Sequence, residues 1–216
     1  RPALAPEEQL PAWVGADDEE AAADGERDAR PGAPAVLRAW QLYVRGEAFG
    51  APTVVELDPH LAVGAAVAFV RPASSRYPGG GAGWPADGRL GSHRHDDGRW
   101  AGFEGGDLEA TIDLGAPVPI ATVDVRFLQD ANAWIFLPDA VRVAWSPDGA
   151  IWHEAPPATH AVSDREQRKL IHPFAVAVGA TARYVRVVAA NRRTCPAWHP
   201  GRGQPAWIFV DEIVVR

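Results

Sequence analysis

The segment IATVDVRFL (120–128) alternates strictly: Val123, Val125 and Phe127 fall on one face, Asp124 and Arg126 on the other. Successive side chains of an extended chain point to opposite faces, so this is a strand with one face in a core. The pattern recurs along most of the chain. LEATIDLG (108–115) places Leu108, Ala110 and Ile112 on one side. AVRVAWSPDGAIWHEA puts Val141, Val143 and Trp145 inward, turns at Ser-Pro-Asp-Gly, and returns through Ile151 and Trp152. GAAVAFV (64–70), PFAVAV (173–178), RYVRVVAA (183–190) and AWIFVDEIVV (206–215) have the same character. Upstream, VLRAWQLYV (36–44) and PTVVEL (52–57) read as a hairpin around RGEAFG. No helical stripe is sustained; the one short helix expected lies in DREQRKL (164–170). Many short strands separated by turns specify an all-β chain, an antiparallel sandwich or barrel.

Charge divides the chain. Residues 1–35 hold nine acids against three arginines, a balance of -6 out of the total of -7. This Ala- and Pro-rich stretch reads as a linker or partly disordered tail, or as the edge of a preceding domain with Trp13 and Val14 docking. The near-neutral remainder lacks the basic face that nucleic acid would require. No apolar run approaches the roughly 20 residues of a bilayer span. One cysteine, Cys195, excludes an intrachain disulfide framework and a Cys-rich zinc site. Its neighbourhood offers no base that would make it a nucleophile. The absence of methionine and of a signal segment suggests a piece of a longer protein. Three parts are expected: an acidic linker or domain edge (1–35), a small β-rich connecting segment (36–65), and a β-sandwich (66–216).

SHRHDDGRW (92–100) is the densest titratable cluster. A catalytic zinc would need imidazoles from more than one segment with partners orienting them, and no second spaced pair exists. Asp96 and Asp97 are adjacent, so on an extended segment they face opposite ways; paired glycosidase carboxylates must face one bond. The stretch reads as a loop with a tight turn at Asp97-Gly98. His93, Arg94 and His95 could still line a ligand site, and an independent metal-dependent hydrolase using this cluster is the remotest alternative.

Six motifs occur in one order: Asp87-Gly88, Trp100, IDLG (112–115), SPDGAIW (146–152), RYVRV (183–187) and DEIVV (211–215). Together they resemble the discoidin, or coagulation factor V/VIII type C, family, which includes the family 32 carbohydrate-binding modules. The resemblance covers roughly residues 66–216 and implies a jelly-roll β-sandwich. SSRYPGGG, DGRWAGFEGGDLEATIDLG, FLQDANAWIFLPDAV and CPAWHPGRGQPAWIFVDEIVV look like the C-terminal module of bacterial family 20 β-N-acetylhexosaminidases. None of that family's barrel or its Asp-Glu motif is present. The resemblance implies a non-catalytic accessory module of a secreted or periplasmic bacterial enzyme, without a membrane span. It also implies a structural calcium held by Asp87, the carbonyl of Arg89, Ser92 and Glu212, with carbonyls of Trp84 and Asp211 completing the shell. Calcium takes six to eight hard oxygens, many from backbone, which suits such a loop. The alternative is an empty loop in which Asp87 caps a turn.

Sugar sites stack an aromatic face on a pyranose and surround it with hydrogen-bonding groups. Trp40, Trp100, Trp145, Trp152 and Trp207 sit in strands or hairpins and are expected in the core. Trp84, Trp134 and Trp198 lie in irregular segments and are free to be exposed. With His199, Arg202, His93 and His95 they form the expected ligand-binding set. The Asp130-Ala-Asn132 turn is ambiguous. The partner is then a carbohydrate of N-acetylhexosamine or galactose type, or the parent's own catalytic domain packed against Trp134 and Trp198.

Overall fold

The computed structural model describes residues 58–81 and 83–216, together with the backbone of four short strands between 35 and 57. Trp13, Val14, Trp40 and the acidic segment lie outside the described residues. Strand β1 (Ala35–Ala39) pairs antiparallel with β4 (Thr53–Leu57), and β2 (Leu42–Val44) with β3 (Glu47–Phe49). The single upstream hairpin expected from the sequence is therefore two ladders, because the 36–44 run is shared between two strands.

The body is a seven-stranded antiparallel sheet: β5 (Ala66–Phe69), β6 (Ala101–Glu104), β7 (Leu108–Gln129), β8 (Ala140–Ser146), β9 (His153–Glu154), β10 (Leu170–Ala190) and β11 (Trp207–Val215). The strand order is β6-β11-β7-β10-β8-β9, with β5 also on β7. The sequence's separate strands at 108–115 and 120–128 are one strand bent near its middle. Gly115 there has φ 82°, and Gly179, at the matching bend of β10, has φ 61°. Such values belong to the left-handed region that glycine enters without a steric penalty. Before its bend β7 pairs with β5 and residues 184–189 of β10; after it, with β11 and residues 170–177. Two long strands thus pass from one layer to the other, and the sheet closes on itself as the expected antiparallel sandwich.

The alternating apolar faces meet between the layers. Leu108, Ala110 and Ile112 from one half of β7 share a buried cluster with Val123, Val125 and Phe127 from the other. Val141, Val143, Phe174, Val176, Val185, Val187, Ile208, Val210 and Ile213 belong to it too. Phe127 and Phe174 meet edge to face at 5.6 Å. Each such side chain removed from water stabilises the fold by about 1.5–3 kcal/mol.

Two local expectations are corrected. Residues 164–170 form no helix: a turn at 164–165 leads to β10 at Leu170. Ser163 Oγ accepts the Arg165 N–H at 3.1 Å and Glu166 accepts the Arg168 N–H at 2.9 Å, so side chains offer the backbone an alternative to helix. A segment this short also cannot offset the cost of helix nucleation. Trp152, expected in the core, is only partly buried and lies under the Arg186 guanidinium, 4.0 Å from the ring centroid, because β9 begins only at His153.

Candidate functional site

The last strand carries an irregularity that matters. Its register on β7 shifts between Val210 and Ile213, and every residue from Ile208 to Val215 is buried, the consecutive acids Asp211 and Glu212 included. Asp211 Oδ2 accepts the Gly91 N–H at 2.7 Å, and Arg126 Nη1 stands 3.1 Å from the same oxygen. Glu212 Oε1 accepts the Gly88 N–H at 3.0 Å and lies 2.8 Å from His60 Nε2. His60 Nδ1 accepts the Ala62 N–H at 3.2 Å, so its Nε2 carries the proton that Glu212 receives. Asp211 Oδ1 and Glu212 Oε2 are buried without a hydrogen-bond partner.

Burial dominates the proton equilibria here. It pushes Glu212 up to about 9, helped by the negative charges of Asp87 and Asp211. Burial pushes Asp211 up to about 7 against the opposing pull of Arg126, and lowers His60 to about 4. The His60–Glu212 contact is therefore a hydrogen bond between neutral partners rather than an ion pair. Asp87 Oδ1 is engaged by the Arg89 N–H at 2.9 Å.

The loop that follows is organised by Asp97. Its Oδ2 accepts both the Ser92 N–H and the Ser92 hydroxyl at 2.7 Å, and its Oδ1 accepts the Arg99 N–H at 2.9 Å. The Trp100 indole N–H donates to the Ser92 carbonyl at 2.9 Å. Gly91 lies so close to that indole that a Cβ there would sit 2.5 Å from Cε2. The loop delivers His95 to the far side, where its Nδ1 is 3.6 Å from Asp130 Oδ2. Lys169 Nζ reaches the same oxygen at 2.9 Å, and Asp130 is almost wholly buried with Oδ1 unpartnered.

Beside His95 opens a cleft of about 350 Å³ walled by Tyr77, Trp134, Trp207 and Phe209 and rimmed by Arg76, Glu104 and Asn132. Tyr77 meets Trp207 edge-on at 5.5 Å and Phe209 at 4.8 Å. Trp134 caps a three-residue 3-10 turn (Ala131–Ala133) with φ 66°, a left-handed value uncommon outside glycine. Reciprocal backbone bonds between Asp130 and Ile135, at 3.0 and 3.1 Å, hold the turn, and Trp207 N–H donates to the Trp134 carbonyl at 2.9 Å. The backbone is thereby fixed so that Trp134 stands 37% exposed. Apolar ring surface, amide, imidazole and both signs of charge then converge on one concave surface.

Of the expected ligand-binding set, Trp134 and His95 meet in this cleft. Trp198 does not line it. His93 and Arg202 are exposed elsewhere on their loops, and His93 does not join His95. Two expectations are corrected. Trp84 is buried and stacks on Phe69 at 5.3 Å, because Gly79 leaves room for its ring in the core. His199 is buried and donates to the Ala131 carbonyl at 2.8 Å while accepting the Gly201 N–H at 3.0 Å, a structural tie. Trp207, expected in the core, is only partly buried and forms a wall. Tyr77 and Phe209 were missed. The signal for Phe209 and Trp207 was the alternation in AWIFVDE: Ile208 and Val210 enter the main core, so their neighbours face away from it. Among the described residues no three of His, Cys, Asp and Glu gather as a metal would require of side chains alone, and no helix is long and apolar enough to cross a membrane.

These features define a β-sandwich with an aromatic cleft built from loops and from β6 and β11, and a buried acid pair on β11. Among solved structures, the fold is similar to the CpGH89CBM32-4 module of Clostridium perfringens in complex with glcNAc-alpha-1,4-galactose: 13% identity over 73% of this chain and 94% of that one, TM-score 0.49. Chitosan-binding module 1 of a Paenibacillus sp. IK-5 chitosanase/glucanase gives 16% identity, 73% and 98% coverage, and TM-score 0.46. The C-terminal domain of a Bacteroides fragilis chitobiase gives 20%, 69% and 92%, and 0.43. No protein-family model matches the sequence. No curated protein matches it either.

Proposed function

We propose that the chain is a non-catalytic carbohydrate-binding module that holds a pyranose in the Tyr77–Trp134–Trp207 cleft. One observation carries this reading: planar aromatic walls and hydrogen-bonding groups of several kinds (His95, Asn132, Arg76, Glu104) share one concave surface. A sugar is an amphipathic disc, with C–H faces that suit aromatic rings and a rim of hydroxyls that suits those polar groups. The family 32 motifs and their resemblance to hexosaminidase modules agree with it. The parent would be a secreted or periplasmic bacterial glycoside hydrolase, β-N-acetylhexosaminidase-like. Tethering would raise the enzyme's effective concentration at a glycan surface.

A calcium ion fits the acid pair. Glu212 Oε2 is a buried oxygen without a partner, its acid is held neutral by burial, and Asp87 lies beside it. A divalent cation would supply the charge that lets both ionise. Asp87 and Glu212 would hold it, with backbone carbonyls, those of Trp84, Arg89 and Asp211 among them, as further oxygens. The Ser92 hydroxyl is engaged by Asp97 and would have to turn to join them.

The test is a tryptophan-fluorescence titration, with calcium present, against N-acetylglucosamine, chitobiose, galactose and N-acetylgalactosamine. A saturable change for one sugar, lost in Trp134→Ala and Tyr77→Ala, is the expected result. A flat response from a demonstrably folded chain would instead favour a module that packs on its catalytic domain without binding sugar.

A further inference from the structure

Asn132 and Trp134 belong to two clefts at once. The second, about 370 Å³, is lined by Ala131, Asn132, Trp134, Gln167, Trp198, His199 and Pro200. Each cleft is at the small end of the roughly 300–1,000 Å³ that small-molecule pockets span. Both present the same pair of chemistries. In the first, Tyr77 and Trp207 stand beside His95 and Asn132; in the second, Trp198 stands beside Gln167 and Asn132.

The wall of the second cleft is built rather than loose. Trp198 donates its indole N–H to Asp164 Oδ2 at 3.2 Å, and Asp164 is held in turn by Arg192 at the same distance. Arg165 lies over the Trp198 ring, 5.2 Å from its centroid. The buried His199 meets Trp198 at 5.4 Å and Trp134 at 6.2 Å, both edge to face, and so locks the two indoles at a set spacing. Gly201 permits this closure, since a Cβ there would lie 2.8 Å from the Trp134 ring. Side chains fixed before binding lose little freedom on binding.

A single sugar residue in one cleft would leave the other, similarly built surface empty. A glycan repeats its amphipathic unit at a regular spacing, and so repeats what the two clefts repeat. We infer that the clefts are adjoining subsites of one groove, and that the preferred ligand is a glycan of at least two residues laid across Trp134 rather than a lone terminal sugar. This rests on the carbohydrate reading above.

Calorimetric titration of the calcium-loaded chain with two probe series tests it: N-acetylglucosamine, chitobiose and chitotriose, and galactose with its dimer and trimer. In one series affinity should rise about tenfold or more between one unit and the longer chains, a difference of about 1.4 kcal/mol. In Gln167→Ala and in Trp198→Phe that ratio should fall toward one, while Trp134→Ala should weaken every member. Equal affinity for one and three units overturns the two-subsite inference and leaves a monosaccharide site standing. A length dependence that persists undiminished in both second-cleft variants also overturns it. Failure of a folded chain to bind any member of either series overturns the carbohydrate reading as well.

Discussion

Glu212 is wholly buried, held by a backbone N–H and an imidazole, and kept neutral by its surroundings. Trp134, on the turn between β7 and β8, stands partly in water on a left-handed backbone held by ladder bonds. The first place concentrates polar groups where they are costly unless satisfied. The second concentrates apolar surface where it is costly unless covered. Each is an unmet demand, one for charge and one for apolar contact, and each specifies the chemistry of what would meet it. Stability should respond mainly to changes at the acids, and ligand affinity mainly to changes at the cleft.

The sharpest test of that division is Glu212→Ala. It leaves the Gly88 N–H and the His60 imidazole without their acceptor, at about 1–3 kcal/mol each, so a total loss of about 2–6 kcal/mol is expected in urea unfolding. Calcium should raise the unfolding midpoint of the parent chain and not of the variant. A variant that keeps the calcium response would remove the acid pair from that role.

Next in size is pH. Glu212 and Asp211 have folded values raised to about 9 and about 7, so the unfolded chain gives up these protons first. Their stabilisation is fully present below the ordinary carboxylate range and is lost as pH rises through the folded values, at about 1.4 kcal/mol per pH unit for each proton. His60, lowered from 6.5 to about 4, acts oppositely, but only below about 6.5. With chelator present, the melting temperature should fall steadily from pH 6.5 to 9, and calcium should flatten the fall. A chelated protein with a level profile over that range would mean the acids are already ionised.

Gly91→Ala forces a Cβ against the Trp100 ring and should cost about 1–3 kcal/mol, as overpacking does. Trp134→Ala should weaken sugar binding about tenfold or more, about 1.4 kcal/mol, with a smaller loss of stability than Gly91→Ala causes. Comparable losses of stability in the two variants would erase the contrast between the regions. At the low end, Arg94→Ala removes only an exposed pair with Asp96, and neither denaturation nor binding should register it.

The sandwich was legible because burial in a two-layer fold leaves a period-two trace, and the trace in 108–128 and 140–146 is nearly unbroken. The site was legible in part. Trp134 stood out as an aromatic in an irregular segment, and His95 as part of a dense loop. Trp84 and His199 carried the same local signature yet are internal, because the glycines that admit the Trp84 ring and the Gly201 N–H that caps His199 act through folded proximity. Tyr77 reaches the cleft from a stretch with no periodic pattern. Asp211 and Glu212 were singled out only through the family resemblance; that both are buried at a register shift was not legible, since adjacent residues of a strand are expected on opposite faces.

Trp100 also has a use beyond packing. Its indole is tied to the Ser92 carbonyl and pressed against Gly91, whose N–H is in turn bound to Asp211. The chain therefore contains its own dye for the acid pair, sealed from water, while the half-wet indole of Trp134 serves the cleft. Emission from a sealed indole is bluer and less open to aqueous quenchers than emission from a wet one. Cation loading and sugar docking should therefore report at opposite edges of one emission band, and a single unlabelled sample could resolve both events.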